Sequence, residues 1–173
     1  MMQSREQPMS DTFQPTYGLV PPEVAATLSG VEFMQGLLAG TYPAPPFAET
    51  TGLWPVSVEA GKIVFEAMPS KRFYNPMGAV HGGWISLLID TVMGCAVHSS
   101  LKAGQAYTTI EMKTTFVRPV FESTGKLRCE GLLLHSGSRT ASSEGKIFDG
   151  NGRLVAHGSE TCLIMDVQKK TAA

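Results

Sequence analysis

The chain has few cysteines, a modest share of charge and no long apolar run. Cys95, Cys129 and Cys162 stand far apart in 173 residues, with no CxxC pair. An odd, widely spaced set supports neither a disulfide framework nor a thiolate zinc site. It fits a reducing compartment. Charged residues are 17% of the chain, 14 basic against 15 acidic, for a net charge of −1, with no dense Lys/Arg cluster. That removes the electrostatic footprint expected of a nucleic-acid binder. The longest nearly apolar run, Trp84 to Val97, is 14 residues and contains Asp90, too short to span a bilayer. The start, MMQSREQPMSDTFQPTYG, has no apolar core of a signal peptide. These absences point to a soluble cytoplasmic protein with no membrane or nucleic-acid partner. What is present, 43% hydrophobic residues, excludes disorder over most of the length and supplies one core.

The periodicities give an order of elements. Residues 1–21 are polar and aperiodic and read as a loose tail. In 22–40, Val24, Leu28, Val31, Met34, Leu37 and Leu38 recur at spacings of three and four, the pattern of a helix entered at Pro22 and stopped at Gly40. TYPAPPFAETTG then breaks regular structure. Leu53–Val58 and Lys62–Met68 flank Glu59-Ala60-Gly61 and read as a hairpin. A loop with Asn75-Pro76 leads through His81-Gly82-Gly83 into a second helix, Trp84–Leu101, apolar on almost every side and so buried. Strands follow at Thr108–Val117, Lys126–His135, Thr140–Phe148 and Leu154–Met165. Asp149-Gly150-Asn151-Gly152 marks the last hairpin. The expected fold class is α+β, an antiparallel sheet against one long buried helix.

Asp90 is the only charge between His81 and Lys102. A carboxylate among apolar neighbours is costly without partners. It is either a structural Asp bonded to a hydroxyl such as Ser86 or Thr91, or a base or nucleophile. Gly82-Gly83 stands where this helix begins. Helix N-terminal N–H groups without side chains can approach a developing oxyanion, or the glycines serve only a tight entry. Asn75 could donate a further hydrogen bond or serve only its turn. His98 falls late in the helix, where positive charge suits the dipole. His135 and His157 read as structural.

The run Asn75-Pro76-Met77-Gly78-Ala79-Val80-His81-Gly82-Gly83, followed by Asp90, resembles the signature of PaaI-like hotdog-fold acyl-CoA thioesterases. Thr114-Thr115-Phe116-Val117-Arg118-Pro119, Gly137-Ser138-Arg139, Glu144, Asp149, Gly152 and Ala156 continue the likeness, and Pro45-Pro46 and Gly52 fit upstream. The resemblance covers roughly residues 30–165. It implies a hotdog domain over 41–167, a sheet wrapped around the buried helix, with residues 168–173 a C-terminal tail.

The resemblance also implies roles. Asp90 is the nucleophile or the general base for water. The Gly82 N–H polarises the thioester carbonyl, and Asn75 assists there or at the thiol side. His81 shapes the loop and touches the substrate, and Thr109, or Thr108 beside it, supplies the hydroxyl that orients the carboxylate or its water. Gly83, Trp84 and Arg139 contact substrate, Arg139 at the CoA phosphates. No metal and no cofactor beyond the CoA of the acyl-CoA substrate is required. Gly82 and Asp90 are separated by roughly 12 Å along one helix, too far to serve one reacting carbon. Two antiparallel copies of the helix can serve it. The resemblance likewise implies a homodimer with shared active sites, or a homotetramer built from two such dimers. The alternatives are an acyl-thioester hydratase or dehydratase using His81, and a non-catalytic acyl-CoA binder, which would not need Asp90.

Overall fold

The computed structural model describes residues 15–167. Residues 1–14 of the expected N-terminal tail, and the whole expected C-terminal tail at 168–173, lie outside the described residues. The rest of the N-terminal stretch is anchored. Tyr17 forms a parallel bridge with Ala44, whose carbonyl accepts from Gly18 N–H at 2.9 Å.

The single helix expected over 22–40 is two helices, α1 (Pro22–Ala25) and α2 (Gly30–Leu38). Ser29 makes the break. Its hydroxyl accepts from Glu32 N–H while the Glu32 carboxylate accepts from Ser29 N–H at 2.8 Å. This reciprocal cap starts a new helix and satisfies two otherwise free donors. The next segment, expected to be irregular, contains a third helix, α3 (Pro46–Thr51). Pro46 suits its first turn, and Gly52, at φ +67°, closes it in the left-handed region.

The sheet has six antiparallel strands: β1 (Leu53–Glu59), β2 (Lys62–Ala67), β3 (Gln105–Phe116), β4 (Leu127–Ser136), β5 (Thr140–Phe148) and β6 (Leu154–Asp166). Their spatial order is β1-β2-β4-β5-β6-β3. The strand that follows the long helix therefore joins the far edge, beside β6. In the last hairpin the buried Asp149 accepts through Oδ1 from Asn151 N–H at 2.9 Å and Arg153 N–H at 3.0 Å. That is why the Asp-Gly-Asn-Gly run turns where it does.

Helix α4 (Gly82–His98) lies across the inner face of the sheet. Leu88, Ile89, Val92, Met93, Ala96 and Val97 are fully buried, and a large apolar side chain so placed contributes roughly 1.5–3 kcal/mol. Beneath the helix, Gly131, Gly145 and Gly158 face one another across β4, β5 and β6. A Cβ on Gly131 would stand 1.9 Å from the Val92 carbonyl oxygen; on Gly145, 2.8 Å from the Met93 side chain; on Gly158, 2.8 Å from that of Ile89. The bare row is a trough that lets the helix come down almost onto the strands. At the sheet's edge β3 presents exposed Ile110, Met112 and Phe116. A long edge strand with exposed apolar residues is a template for pairing with another chain.

Candidate active site

The first four N–H groups of an α-helix lack acceptors within it. At α4 three of the four are taken. His81 N–H donates to Phe73 O at 2.7 Å, Gly83 N–H to His81 Nδ1 at 2.8 Å, and Trp84 N–H to His81 O at 3.0 Å. The Gly82 N–H has no acceptor among the described residues. One donor at the positive end of a 17-residue helix is thus left for a ligand oxygen. His81 is the cap that makes this selection, and Gly83, its N–H spent on that cap, is no free donor.

The loop before the helix is wound around Asn75. Its Oδ1 accepts from Met77 N–H at 2.9 Å and Ala79 N–H at 3.3 Å, and its backbone N–H donates to Ala79 O at 2.7 Å. With the side-chain oxygen committed to the loop, the amide nitrogen is the end left to donate outward. Asn75 and Gly82 line one open cleft of about 340 Å³ with Ile85, Phe116, Val117 and Arg118. Phe116 and Val117 belong to the end of the exposed edge strand and the residue after it.

Asp90 lies two turns further along α4, half-buried, and its Oδ1 accepts from Thr109 Oγ1 at 3.3 Å. Thr108, its neighbour, is exposed. Strand alternation puts only one of the two on the helix side, and a register shift between Thr109 and Glu111 fixes the phase. Asp90 does not line the Asn75–Gly82 cleft. One chain therefore brings together Asn75, His81 and Gly82 in one place, and Asp90 and Thr109 in another.

The remaining expected contacts fall elsewhere. Trp84 is a core residue, stacked on Phe73 with ring centroids 4.8 Å apart and donating Nε1–H to Thr51 O at 3.3 Å. Its inward position follows from the helix face it shares with Leu88. Arg139 is exposed at the β4–β5 turn, where its carbonyl accepts from Ile164 N–H at 2.8 Å. His98 does not carry charge into the helix C-terminus. Burial pushes its pKa down, its ring meets Phe33 edge-on at 5.3 Å, and its Nε2 is buried without a partner.

Two features escaped the sequence reading. The first is an apolar cavity of about 220 Å³ between α2–α3 and the sheet, with Met34, Phe47, Trp54, Cys95, His98 and Tyr107 among its walls. The second is Glu160 on β6, only 3% exposed, whose Oε1 accepts from Cys162 Sγ at 3.0 Å. Its place in the inward phase of the strand, with Cys162 and Ile164, is a signal that alternation could have given. Burial drives its pKa up to about 7, opposed by the Cys162 hydrogen bond and reinforced by the charge of Asp90. Burial likewise pushes the Cys95 and Cys162 thiols up to about 12, and that of Cys129 upward. None of the three is therefore a ready thiolate nucleophile at neutral pH. Among the described residues no three His, Cys, Asp or Glu side chains are grouped to hold a metal ion, and no helix is long and apolar enough to cross a membrane.

Comparison with known proteins bears on this arrangement. The Thioesterase superfamily model matches residues 77–156. The proofreading thioesterase EntH of Klebsiella pneumoniae subsp. pneumoniae is 34% identical over 96 residues, which are 56% of this chain and 69% of that protein. Among solved structures, the PaaI protein of the E. coli phenylacetic acid degradation operon superposes with a TM-score of 0.69 at 22% identity, over 79% of this chain and 96% of that one. A Streptococcus mutans protein bound to acetyl CoA superposes with a TM-score of 0.60 at 22% identity, over 66% of this chain and 90% of that one.

Proposed function

The chain belongs to the thioesterase superfamily, with the hotdog fold, and from that premise we propose that it hydrolyses acyl-CoA thioesters to a carboxylic acid and CoA. The observation that carries the reading is the N–H of Gly82, left without an acceptor among the described residues at the start of α4, where Gly82 lines a cleft that Asn75 also lines. A thioester carbonyl seated there accepts from Gly82 N–H and from the Asn75 amide. Both bonds shorten as negative charge builds on the oxygen, so they favour the transition state over the ground state. Asp90, oriented by Thr109, supplies the carboxylate. It acts either as nucleophile on the carbonyl carbon, expelling CoA thiolate to leave a mixed anhydride that water then hydrolyses to the free acid, or as base drawing a proton from a water that adds to the carbonyl and expels CoA.

Gly82 and Asp90 meet across a dimer in this reading. Eight helical residues keep them roughly 12 Å apart within one chain. Pairing of the exposed β3 edge with a second copy would join the two sheets. It would also carry each Asp90 toward the other subunit's cleft, which Phe116 and Val117 at the end of β3 already border. The exposed β3 edge supports the proposed homodimer, and the homotetramer is proposed as a pair of such dimers. The acyl group occupies the apolar cavity beneath α2–α3. The acetyl CoA bound by the Streptococcus mutans relative supports a CoA thioester as substrate. Arg139 remains the residue offered to the CoA phosphates. The test is thiol release across a panel of acyl-CoA esters with wild type and Asp90→Asn. Turnover of at least one ester by wild type and none by Asp90→Asn supports the reading; equal rates refute it.

A further inference from the structure

Helix α4, β5, β3 and β6 enclose a small polar cluster that runs from Asp90 and Thr109 to Cys162, Glu160 and Ser143, the last three unused by the proposed chemistry. Starting at Asp90, Thr109 Oγ1 donates to Asp90 Oδ1 at 3.3 Å and lies 4.0 Å from Cys162 Sγ, which donates to Glu160 Oε1 at 3.0 Å. The second carboxyl oxygen, Glu160 Oε2, is buried and receives no hydrogen bond from a donor among the described residues, while the Asp90 carboxyl lies near enough to act on Glu160 as a hydrogen-bond partner. Ser143 Oγ, directly across on β5, is likewise buried. The groups that act on Glu160 are Asp90 from α4, Cys162 from its own strand and Ser143 from β5. Cys95 on α4 and Tyr107 on β3, both half-buried, face the same two acids. None of these neighbours is a cation.

An isolated buried carboxylate is among the most expensive groups a fold can hold. Without a cation to pair with, it takes up a proton instead. Two neighbouring carboxyls share one proton for the same reason. The Cys162 thiol already points its hydrogen at Oε1, so the acid proton belongs on Oε2, the oxygen that receives no hydrogen bond. Nothing in the packing calls for an acid at this position: a leucine of similar size would fill the site without the cost of burial.

We infer that Glu160 is a positioning residue for Asp90, held as the neutral acid and donating through Oε2–H to the Asp90 carboxylate, opposite the Thr109 hydroxyl. The inference rests on Asp90 being the reacting carboxylate. The pair then carries a single negative charge, placed on Asp90, and two donors fix its orientation. Removing the proton from Glu160 withdraws one donor and sets a second negative charge beside the one the reaction uses. Activity should therefore fall as pH rises through the titration of Glu160, whose pKa burial, against the Cys162 hydrogen bond and with the charge of Asp90, raises to about 7.

The experiment compares wild type, Glu160→Gln and Glu160→Leu, with Asp90→Asn as reference, in kcat and KM from pH 5.5 to about 8.5. Glutamine is a neutral donor at every pH. It should keep kcat within about threefold of wild type at low pH and abolish the alkaline fall. Leucine should lower kcat about 10- to 100-fold, the worth of one hydrogen bond to a charged group, with KM little changed. A second readout needs no turnover: the infrared difference between wild type and Glu160→Gln at pH 5.5 should show the carbonyl stretch of a protonated carboxyl. An alkaline limb that persists in Glu160→Gln, full activity in Glu160→Leu, or a carboxylate band in place of the acid band overturns the inference. If Asp90→Asn is inactive while the Glu160 variants behave as wild type, only the role of Glu160 falls. If Asp90→Asn is active, the reading of Asp90 itself falls.

Discussion

A dimer with shared sites makes a quantitative claim about mixed subunits. Asp90→Asn removes the carboxylate and leaves the Gly82 cleft intact. Gly82→Val does the reverse. Its first side-chain carbon would stand 3.2 Å from the Phe116 ring, and the added methyl groups cover the free N–H. Each homodimer lacks one half of both sites and should be inactive. In a two-fold heterodimer one site collects both lesions and the other collects neither, so about half of the wild-type activity per dimer should return. The two chains are co-expressed with different affinity tags, the heterodimer is isolated through both, and thiol release is measured with the best acyl-CoA ester. Activity at the level of the two homodimers, in a heterodimer whose composition mass spectrometry has verified, would refute the reasoning. Each chain would then have to assemble a complete site alone, despite the roughly 12 Å along α4 between its two halves.

Asp90→Asn should lower kcat by about 10²–10⁴-fold if the residue is a base, and at least as far if it is the nucleophile, with the circular dichroism spectrum unchanged. Thr109→Val should lower kcat by about 10- to 100-fold by removing one charge-assisted hydrogen bond, while Thr108→Val, at an exposed position, should leave steady-state kinetics alone. Gly131→Ala should destabilise the fold by about 1–3 kcal/mol or more in urea unfolding, because its Cβ meets a backbone carbonyl rather than a movable side chain. Glu160 has a folded-state pKa of about 7, raised from its ordinary 4.5 chiefly by burial. The folded state thus binds its proton more tightly, and stability is lost as pH rises from about 4.5 to about 7. Glu160→Gln should therefore match wild type in stability near pH 4 and exceed it by roughly 3 kcal/mol at pH 8, read from paired unfolding curves. Asp149 works in the opposite sense. Backbone donation from Arg153 chiefly holds its pKa below the ordinary value, so its stabilisation is present above that value and lost as pH falls through the folded one.

Much of this fold could be read from local pattern. The long apolar helix was legible because no other segment has its length and uniformity, and the β1–β2 and β5–β6 hairpins because Gly61 and the Asp149–Gly152 run leave the backbone few choices. The break at Ser29 was also written in the sequence, as a Ser followed three residues later by Glu, but the continuing apolar spacing of Val24 to Leu38 hid it. Helix α3 was masked by the prolines that in fact begin it. The place of β3 beside β6 has no local signal at all, since strand order is set by which faces the helix can cover. For the site, Asn75, His81, Gly82 and Asp90 lay in one recognisable run. Glu160 did not: its significance depends on an α4 carboxylate some 70 residues away in the sequence, brought near only by the completed sheet.

The walls of the apolar cavity come from three sources: Phe33, Met34, Leu37 and the 44–48 segment; Trp54 and Phe65 with their neighbours on β1 and β2; and Thr91, Cys95, His98 and Tyr107. The first two sets lie wholly outside the region that matches the superfamily, residues 77–156; the third lies inside it and is continuous with Asp90 and Thr109. If the acyl group sits in this cavity, as proposed, reaction and selectivity are carried by separable stretches of the chain. The cavity-facing side chains of the α2–α3 segment can then be varied to admit a different acyl group, provided that Met34 and Leu37, which share the core with α4, are kept. A library confined to residues 33–48, with Met34 and Leu37 held fixed, would thus explore substrate range with the chemistry held constant. Such modularity is how one scaffold can serve many different thioesters.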